Sequence, residues 1–239
     1  MSRIAKVLKK QSMLPGIFGL VVNPFYFARR GLADAIKSNS GYVSGRTLDV
    51  GCGSKPYEHL FVTSYYLGLD VDNDYSRSIA LADLLYDGDR FPVKSGSIDS
   101  VICNQVLEHV PDPEALLLEV RRVLREDGNV MITVPFIWGE HMAPSDYLRY
   151  TSFGLKDFLE KKGFHIVKQE KIGCSNTVIF QLLNAYIFGL IEQLPIWLRY
   201  GFIFTICFAV NCLGVFFNSL LPKNDTLYLD NLVIAKKMR

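Results

Sequence analysis

Short apolar runs alternate with helical patterns between residues 47 and 134, and this alternation constrains the fold more than any other feature of the chain. Such an alternation is typical of βαβ units around a parallel sheet, and purely apolar runs suit strands that are buried on both faces. The strand candidates are 47-TLDV-50, 65-YYLGL-69, 79-IALA-82, 99-DSVIC-103 and 129-NVMITV-134. The sequence therefore predicts an α/β fold.

The clearest helix is predicted over residues 112–126, because its apolar residues recur at steps of three and four. Asp112 can cap its start, Pro113 suits its first turn, and Gly128 is expected to end it. A second helix is predicted over 152–163. It is followed by strand candidates at 164–172 and 226–237.

The segment 47-TLDVGCGSKPY-57 predicts a strand that runs into a glycine turn. Glycine permits a sharp turn with positive φ and a close approach of the backbone to a ligand. Asp70 ends the next strand, where an acidic residue commonly binds ribose hydroxyls. A dinucleotide site would need a third glycine, but position 56 is Pro56, so a nicotinamide oxidoreductase is disfavoured. The alternative is purely structural, since any parallel α/β sheet can carry glycines and an Asp at these places.

Several motifs, in the right order, resemble class I S-adenosylmethionine-dependent methyltransferases, most similarly the ubiquinone/menaquinone-biosynthesis-like small-molecule group. They are 48-LDVGCG-53, 67-LGLD-70, 82-ADLL-85 and the stretch 98–135, which includes 103-CNQVLEHV-110. The resemblance covers about residues 47–172. It implies a Rossmann-like methyltransferase fold with a mostly parallel seven-stranded sheet, an antiparallel last strand, and S-adenosylmethionine as cofactor.

The resemblance also implies which residues contact the cofactor. The methionine part would be lined by Asp49, Gly51, Cys52 and Gly53, the ribose by Asp70, and the adenine by Val71, Asp83 and Leu84, with Asn104 and Gln105 closing the site. The sequence departs from the family at Lys55, where many members carry a small residue, so the cation could narrow the loop. The link from Asp70 to Ile79 is also short, which predicts a turn in place of a full helix.

The connection 135-PFIWGEHMAPSDYLRYT-151 is unusually long and rich in polar and aromatic residues, which favours a function. Our catalytic candidates there are His141, Asp146, Tyr147 and Arg149, within a set that also includes Glu140 and Tyr150. His141 could be a base, and Arg149 could bind an anionic substrate group. Alternatively, Asp146 and Arg149 pair and fasten the loop. His109 either borders the site or packs the loop before Pro111.

The stretch 176–222 is strongly apolar and lies between the last two strand candidates. Two membrane crossings would need two spans of about 20 residues, and 178–191 is too short. We therefore predict an apolar helical hairpin that contacts a membrane interface or packs against the domain and a partner subunit, as in a homodimer. The basic segment 3-RIAKVLKK-10 has an apolar face of Ile4, Val7 and Leu8, which suits anionic lipid; a solvated basic helix is the alternative.

The net charge of +2 gives no reason to expect a nucleic-acid partner. The five cysteines form no CxxC pair, so neither disulfides nor a metal site is expected. We predict a cytoplasmic protein, peripheral on the inner face of the membrane, and expect no secretion because 13-MLPGIFGLVV-22 lacks a cleavage site. The predicted parts are 1–45 (basic/apolar helical segment), 46–175 (cofactor-binding core), 176–222 (insertion) and 223–239 (final strand).

These observations predict a methyltransferase that acts on a small-molecule, lipid-linked or glycan-precursor acceptor. The alternative is a catalytically silent methyltransferase-like module that acts as a membrane-associated interaction protein.

Overall fold

The computed structural model describes residues 3–238, with side chains from Val7 onward. Its strands are β1 (Arg46–Val50), β2 (Tyr65–Val71), β3 (Leu84–Tyr86), β4 (Ile98–Asn104), β5 (Leu124–Pro135), β6 (Phe164–Ile172) and β7 (Asp230–Lys237). They form a seven-stranded sheet in the order β3-β2-β1-β4-β5-β7-β6. The pairs β1–β2, β1–β4, β2–β3 and β4–β5 are parallel, while β7 is antiparallel to its neighbours. The predicted Rossmann-like methyltransferase fold is confirmed.

The helices lie between these strands and at the N-terminal side of β1. They are α1 (Arg3–Met13), α2 (Gly19–Val22), α3 (Tyr26–Asn39), α4 (Asp74–Ile79), α5 (Pro113–Val123), α6 (Ser152–Lys161), α7 (Asn176–Ile191), α8 (Ile196–Phe202) and α9 (Phe208–Leu220). A wider π-helical turn, Ile203–Cys207, joins α8 to α9. The apolar insertion is therefore helical, as predicted.

Helix α5 begins where the sequence pattern predicted, but it ends three residues earlier than predicted. The Asp112 carboxylate accepts a hydrogen bond from the Ala115 N–H at 3.0 Å, and Pro113 opens the helix. The helix ends at Val123, however, because Leu124 already pairs with Ile98 in the sheet. Gly128 lies within β5, so the prediction that it ends the helix was wrong.

The predicted strand 79–82 was also wrong, because a local capping motif makes this region the end of a helix. The Asn73 side chain accepts from the Ser76 N–H at 2.9 Å, and the Ser76 hydroxyl accepts from the Asn73 N–H at 3.2 Å. This reciprocal cap starts α4, and Ala80, with φ of 50°, ends it. The strand beside β2 is Leu84–Tyr86 instead, and the short α4 takes the place of the predicted turn.

The last strand begins at Asp230, four residues later than predicted. The Asn224 side chain accepts hydrogen bonds from the N–H and the hydroxyl of Thr226, at 2.9 and 2.6 Å. A turn held in this way cannot join the sheet, so β7 starts only after Leu229.

The chain divides into two compact units. The sheet unit contains Ile36–Phe136, Glu140–Glu170 and the chain from Asn231 on, and its core is built from fully buried residues such as Leu48, Val101 and Leu117. The hairpin unit contains the chain up to Ala35, Ile137–Gly139 and Lys171–Asp230. The fourfold division proposed from the sequence stays a prediction.

Candidate cofactor and acceptor site

The glycine turn after β1 has the backbone that the sequence predicted. Gly51 and Gly53 have φ of 67° and 47°, in the left-handed region that favours glycine. The Gly51 N–H donates to the Leu69 carbonyl at 2.8 Å, so the turn folds back towards β2. A Cβ on Gly51 would lie 2.5 Å from a methyl of Val106, whereas a Cβ on Gly53 would meet no atom within 4 Å. The two glycines therefore serve different needs.

Gly51→Ala is expected to cost about 2–4 kcal/mol of unfolding free energy, since left-handed strain and a steric overlap add together. Gly53→Ala should cost only about 1 kcal/mol, from strain alone. Urea unfolding of both variants checks this. In a Val106→Ala background the cost of Gly51→Ala should fall towards that of Gly53→Ala. An undiminished cost would show that the overlap with Val106 is unimportant.

Asp70 fixes the second glycine of the turn. One carboxylate oxygen accepts from the Gly53 N–H at 3.1 Å, and the other accepts from the Val71 N–H at 2.9 Å. Asp70 and Val71 end β2, at the same edge of the sheet as the glycine turn. The predicted ribose-binding carboxylate thus also organises the loop that would contact the methionine part of the cofactor.

Asp49 is buried at the end of β1 and accepts a hydrogen bond from the Tyr66 hydroxyl at 2.7 Å. Burial raises the pKa of Asp49 to about 7, against the lowering effect of this hydrogen bond. A carboxyl poised in this way gains much from a nearby cation, because a positive charge offsets the lost hydration of the ionised form. An ammonium group of a ligand would supply that charge.

Asp49 lines a cavity of the sheet unit beside the glycine turn. Its other lining residues are Ile36, Gly51, Cys52, Pro56, Tyr57, Phe61, Tyr66, Ile102 and Asn104. Burial raises the pKa of the Cys52 thiol to about 12. Cys52 therefore stays a neutral thiol and acts here as a small packing group.

The Lys55 side chain, which the sequence suggested could narrow the loop, pairs with Asp83. Its ammonium group lies 2.5 Å from an Asp83 carboxylate oxygen, and the same oxygen accepts from the Gly68 N–H at 2.7 Å. Partial burial alone would raise the pKa of Asp83, but these two hydrogen bonds hold it below its usual range. A Cβ at Gly68 would lie 2.3 Å from Lys55 Cε. Gly68 thus gives room for Lys55, whose ammonium neutralises Asp83 next to Leu84.

Asn104 ends β4 and Gln105 follows it, after the fourth strand as the family resemblance implied. The Asn104 side-chain oxygen accepts from the Thr133 hydroxyl at 2.5 Å. Gln105 has φ of 55°, and its N–H donates to the Thr133 carbonyl at 2.9 Å. The strained turn at Gln105 redirects the chain after β4, a feature common at ligand-binding sites.

The loop after β5 is organised around Asp146. Arg149 donates two hydrogen bonds to the two Asp146 oxygens, at 2.6 and 2.7 Å, and the His141 N–H donates to one of them at 2.9 Å. The hydrogen bond from Arg149 holds the pKa of Asp146 well below its usual range. The structure thus shows the pairing alternative. Arg149 engages Asp146 bidentately in this structure, and its capture of a substrate anion stays a prediction. Tyr147 is half exposed, and its N–H donates to the Glu108 carbonyl.

His141 retains the geometry of a candidate base. Its Nδ1 lies 3.2 Å from the ionised Asp146, which favours a proton on Nδ1. The ring packs edge to face against His109, with centroids 4.7 Å apart. His109 Nδ1 lies 2.5 Å from the Ser145 carbonyl oxygen, to which it donates. His109 thus fastens the loop after β5 and lies against His141, whereas the sequence left it either bordering the site or packing the loop before Pro111.

Glu108, His109 and His141 also bring their ligand atoms within 4.8 Å of one another. Glu108 is fully buried, and two imidazoles with one carboxylate form a donor set that suits several divalent cations. The sequence predicted no metal site at these three residues. The signal was present in 108-EHV-110, but the approach of His141 is set by the fold.

Comparisons with known proteins identify the family that part of the chain matches. Residues 48–132 match the family described as "Methyltransferase domain". Over 113 residues the chain is 26% identical to the ubiquinone biosynthesis O-methyltransferase of Aromatoleum aromaticum, in a match that covers 42% of this chain and 48% of that protein. The chain thus spans about half the length of this relative.

Among solved structures, the fold is similar to that of the (4+2)-cyclase SpnF, with a TM-score of 0.57, 20% identity, and 87% of this chain and 80% of that one covered. It is also similar to phosphoethanolamine N-methyltransferase 2 of Haemonchus contortus in complex with S-adenosyl-L-methionine. That TM-score is 0.54, with 16% identity and coverage of 93% and 56%. At these identities the likeness shows the fold alone.

The family match, the order of the strands and the glycine turn closed by Asp70 lead to one conclusion. Residues 48–132 form a methyltransferase domain of the class I, S-adenosylmethionine-dependent kind, as the sequence predicted.

Proposed function

We propose that the protein binds S-adenosylmethionine along the edge formed by Asp49, the glycine turn and Asp70, and transfers its methyl group to a small-molecule acceptor. The observation that carries the proposal is the hydrogen bond from the Gly53 N–H to Asp70, because it ties the loop for the methionine part to the carboxylate for the ribose. Lipid-linked and glycan-precursor molecules belong to the proposed acceptor class.

Calorimetric titration with S-adenosylmethionine tests the first half of this proposal. We expect saturable binding of S-adenosylmethionine and none of NADH. NADH binding alone would revive the oxidoreductase alternative. Binding of neither would contradict a cofactor site and favour a catalytically silent module. The acceptor is sought by comparing small-molecule, lipid and glycan extracts of cells with and without the protein. In cells without the protein, the methylated product should be replaced by a molecule that lacks one methyl group.

For a hydroxyl acceptor, we propose that His141 is the general base. Nε2 would take the hydroxyl proton while the oxygen attacks the methyl carbon. As the new oxygen–carbon bond forms, the carbon–sulfur bond would break with its electrons passing to sulfur, so that S-adenosylhomocysteine would leave with a neutral thioether sulfur. The support is the Asp146 contact on Nδ1, which orients the ring and stabilises its protonated form. The loop carrying His141 is joined to the segment after β4 by the Tyr147–Glu108 bond, at the carboxyl ends of β4 and β5.

His141→Gln is expected to lower kcat about 100-fold or more, the usual loss when a general base is removed, with unchanged affinity for S-adenosylmethionine. Steady-state assays with the acceptor found in the extracts measure this. His165→Gln, which alters an exposed histidine of β6, is the control and should be neutral. If His141→Gln keeps the wild-type kcat, the residue only orders its loop.

A further inference from the structure

The helical hairpin 176–222 buries three amide side chains and exposes many of its large apolar ones. Gln181, Asn184 and Asn211 are fully buried, while the large side chains on the outer faces of α7, α8 and α9 are exposed. The exposed set comprises Ile179, Leu183, Tyr186, Leu190, Ile196, Trp197, Tyr200, Phe204, Ile206, Leu213, Val215, Phe216, Phe217 and Leu220. In a protein surrounded by water this arrangement is reversed.

The buried polar groups have specific partners within the hairpin unit. The Asn184 amide donates to the Asn211 side-chain oxygen at 2.9 Å, joining α7 to α9. The Asn211 amide donates to the Leu20 and Asn23 carbonyls, and the Gln181 amide to the Pro24 carbonyl. These bonds fix the inner faces of α7 and α9 against the segment 20–24. The apolar outer face is consequently the one available to a partner.

Charge identifies the partner. Between Asn176 and Pro222 only Glu192 and Arg199 are charged, so the outer face carries almost none of the ionic groups that orient one protein on another. The hairpin unit as a whole has nine Lys and Arg against four Asp and Glu, a net charge of +5. Lys9 and Lys10 are exposed on α1. The Asn23 amide donates to the Gln11 carbonyl of α1, and this bond links α1 to the segment 20–24. An apolar face on a basic unit matches an anionic bilayer.

We propose that the outer face of this hairpin docks on the surface of an anionic lipid bilayer. The continuous helix Ile196–Leu220 has 25 residues and a hydropathy sufficient for a crossing. However, the Ser175 N–H donates to both the Asn224 and Leu227 carbonyls. The hairpin thus leaves and returns at one point, and its inner polar bonds hold α9 to the N-terminal segment. Docking by one face agrees with both observations.

Flotation with vesicles tests the proposal on the whole chain. We expect the protein to float with vesicles of equal parts phosphatidylcholine and phosphatidylglycerol, and less with phosphatidylcholine alone. Trp197→Glu/Phe216→Glu should lower the bound fraction about ten-fold or more, because charged groups are costly in hydrocarbon. Phe153→Glu changes an aromatic residue of α6 that is even more exposed, and this variant should float as the wild type does. All variants should bind S-adenosylmethionine normally, which separates this test from that of the methyltransferase activity.

A second measurement reports on the face directly. The chain has two tryptophans, so Trp138→Phe leaves Trp197 as the reporter. Its fluorescence should shift to the blue when the anionic vesicles are added. An unchanged spectrum, or flotation that survives the double glutamate substitution, would overturn the proposal. So would self-association in analytical ultracentrifugation, without flotation, that the double substitution abolishes; that result would assign the face to a second copy of the chain.

Discussion

Asp70→Ala is expected to weaken S-adenosylmethionine binding about 100-fold, measured by calorimetric titration. Hydrogen bonds to a charged group contribute about 1.5–3 kcal/mol each, and the variant loses the proposed bonds to the ribose together with the bond that holds Gly53. Because each 1.4 kcal/mol is a factor of ten in affinity, one or two such bonds account for the loss. The fold should persist, since Asp70 lies at the end of its strand and outside the apolar core.

The matched control for this prediction is Asp72→Ala. Asp72 directly follows β2 and pairs with Arg77 on the surface. The substitution Asp72→Ala therefore removes a neighbouring carboxylate without changing any contact of the glycine turn. Cofactor affinity should stay at the wild-type value. If Asp70→Ala also keeps wild-type affinity while its melting temperature is unchanged, the cofactor does not lie along this edge.

Asp49→Asn is expected to stabilise the cofactor-free protein by about 2–4 kcal/mol at pH 8. The pKa of Asp49 is about 7 in the folded chain and near 3.8 in the unfolded one, so folding favours the protonated carboxyl. Its contribution to stability is complete below about pH 4 and is lost as the pH rises through 7. Asparagine mimics the protonated form at every pH. The gain should therefore shrink towards zero as urea unfolding is repeated at falling pH.

The same substitution should weaken the cofactor and remove a pH dependence. A ligand ammonium favours ionised Asp49, so wild-type affinity for S-adenosylmethionine should rise between about pH 5 and 7 as the carboxyl loses its proton. In Asp49→Asn the affinity should be lower and flat over this range. Tyr66→Phe removes a hydrogen bond that lowers the pKa of Asp49, so it should move the midpoint to higher pH. A flat wild-type profile would contradict the proposed role of Asp49.

Most of the fold could be predicted because apolar runs indicate where the strands lie along the chain. The family resemblance adds the number of strands in the sheet and the antiparallel direction of the last one. Strand β6 has the predicted bounds, and α5 begins where Asp112 and Pro113 place it. The prediction for residues 73–82 was wrong because the apolar run at 79–82 resembles a strand. The cap formed by Asn73 and Ser76, which starts a helix here, has no distinctive sequence pattern. An Asn three residues before a Ser is a weak pattern until the hydrogen bonds are seen.

The places of the glycine turn and its neighbouring carboxylates were predictable from the sequence, since glycines and carboxylates at strand ends lie in fixed places. The acceptor loop was less so. The sequence left open whether Arg149 binds a substrate or Asp146. The distances between the Arg149 and Asp146 side chains show that these two residues pair in the structure. The meeting of His141 with His109 and Glu108 depends on how the loop after β5 folds back, which no local pattern encodes.

The joined ends of the hairpin have a consequence for how long this insertion can be. Because Ser175 contacts Asn224 and Leu227 directly, the 48 residues between 175 and 224 form a closed loop, whose ends are held together whatever the middle does. The entropy of closing such a loop grows only slowly with its length. Closing the loop at Ser175 therefore brings the chain after β6 back to the start of β7 at an entropic cost that a longer or shorter hairpin would change little.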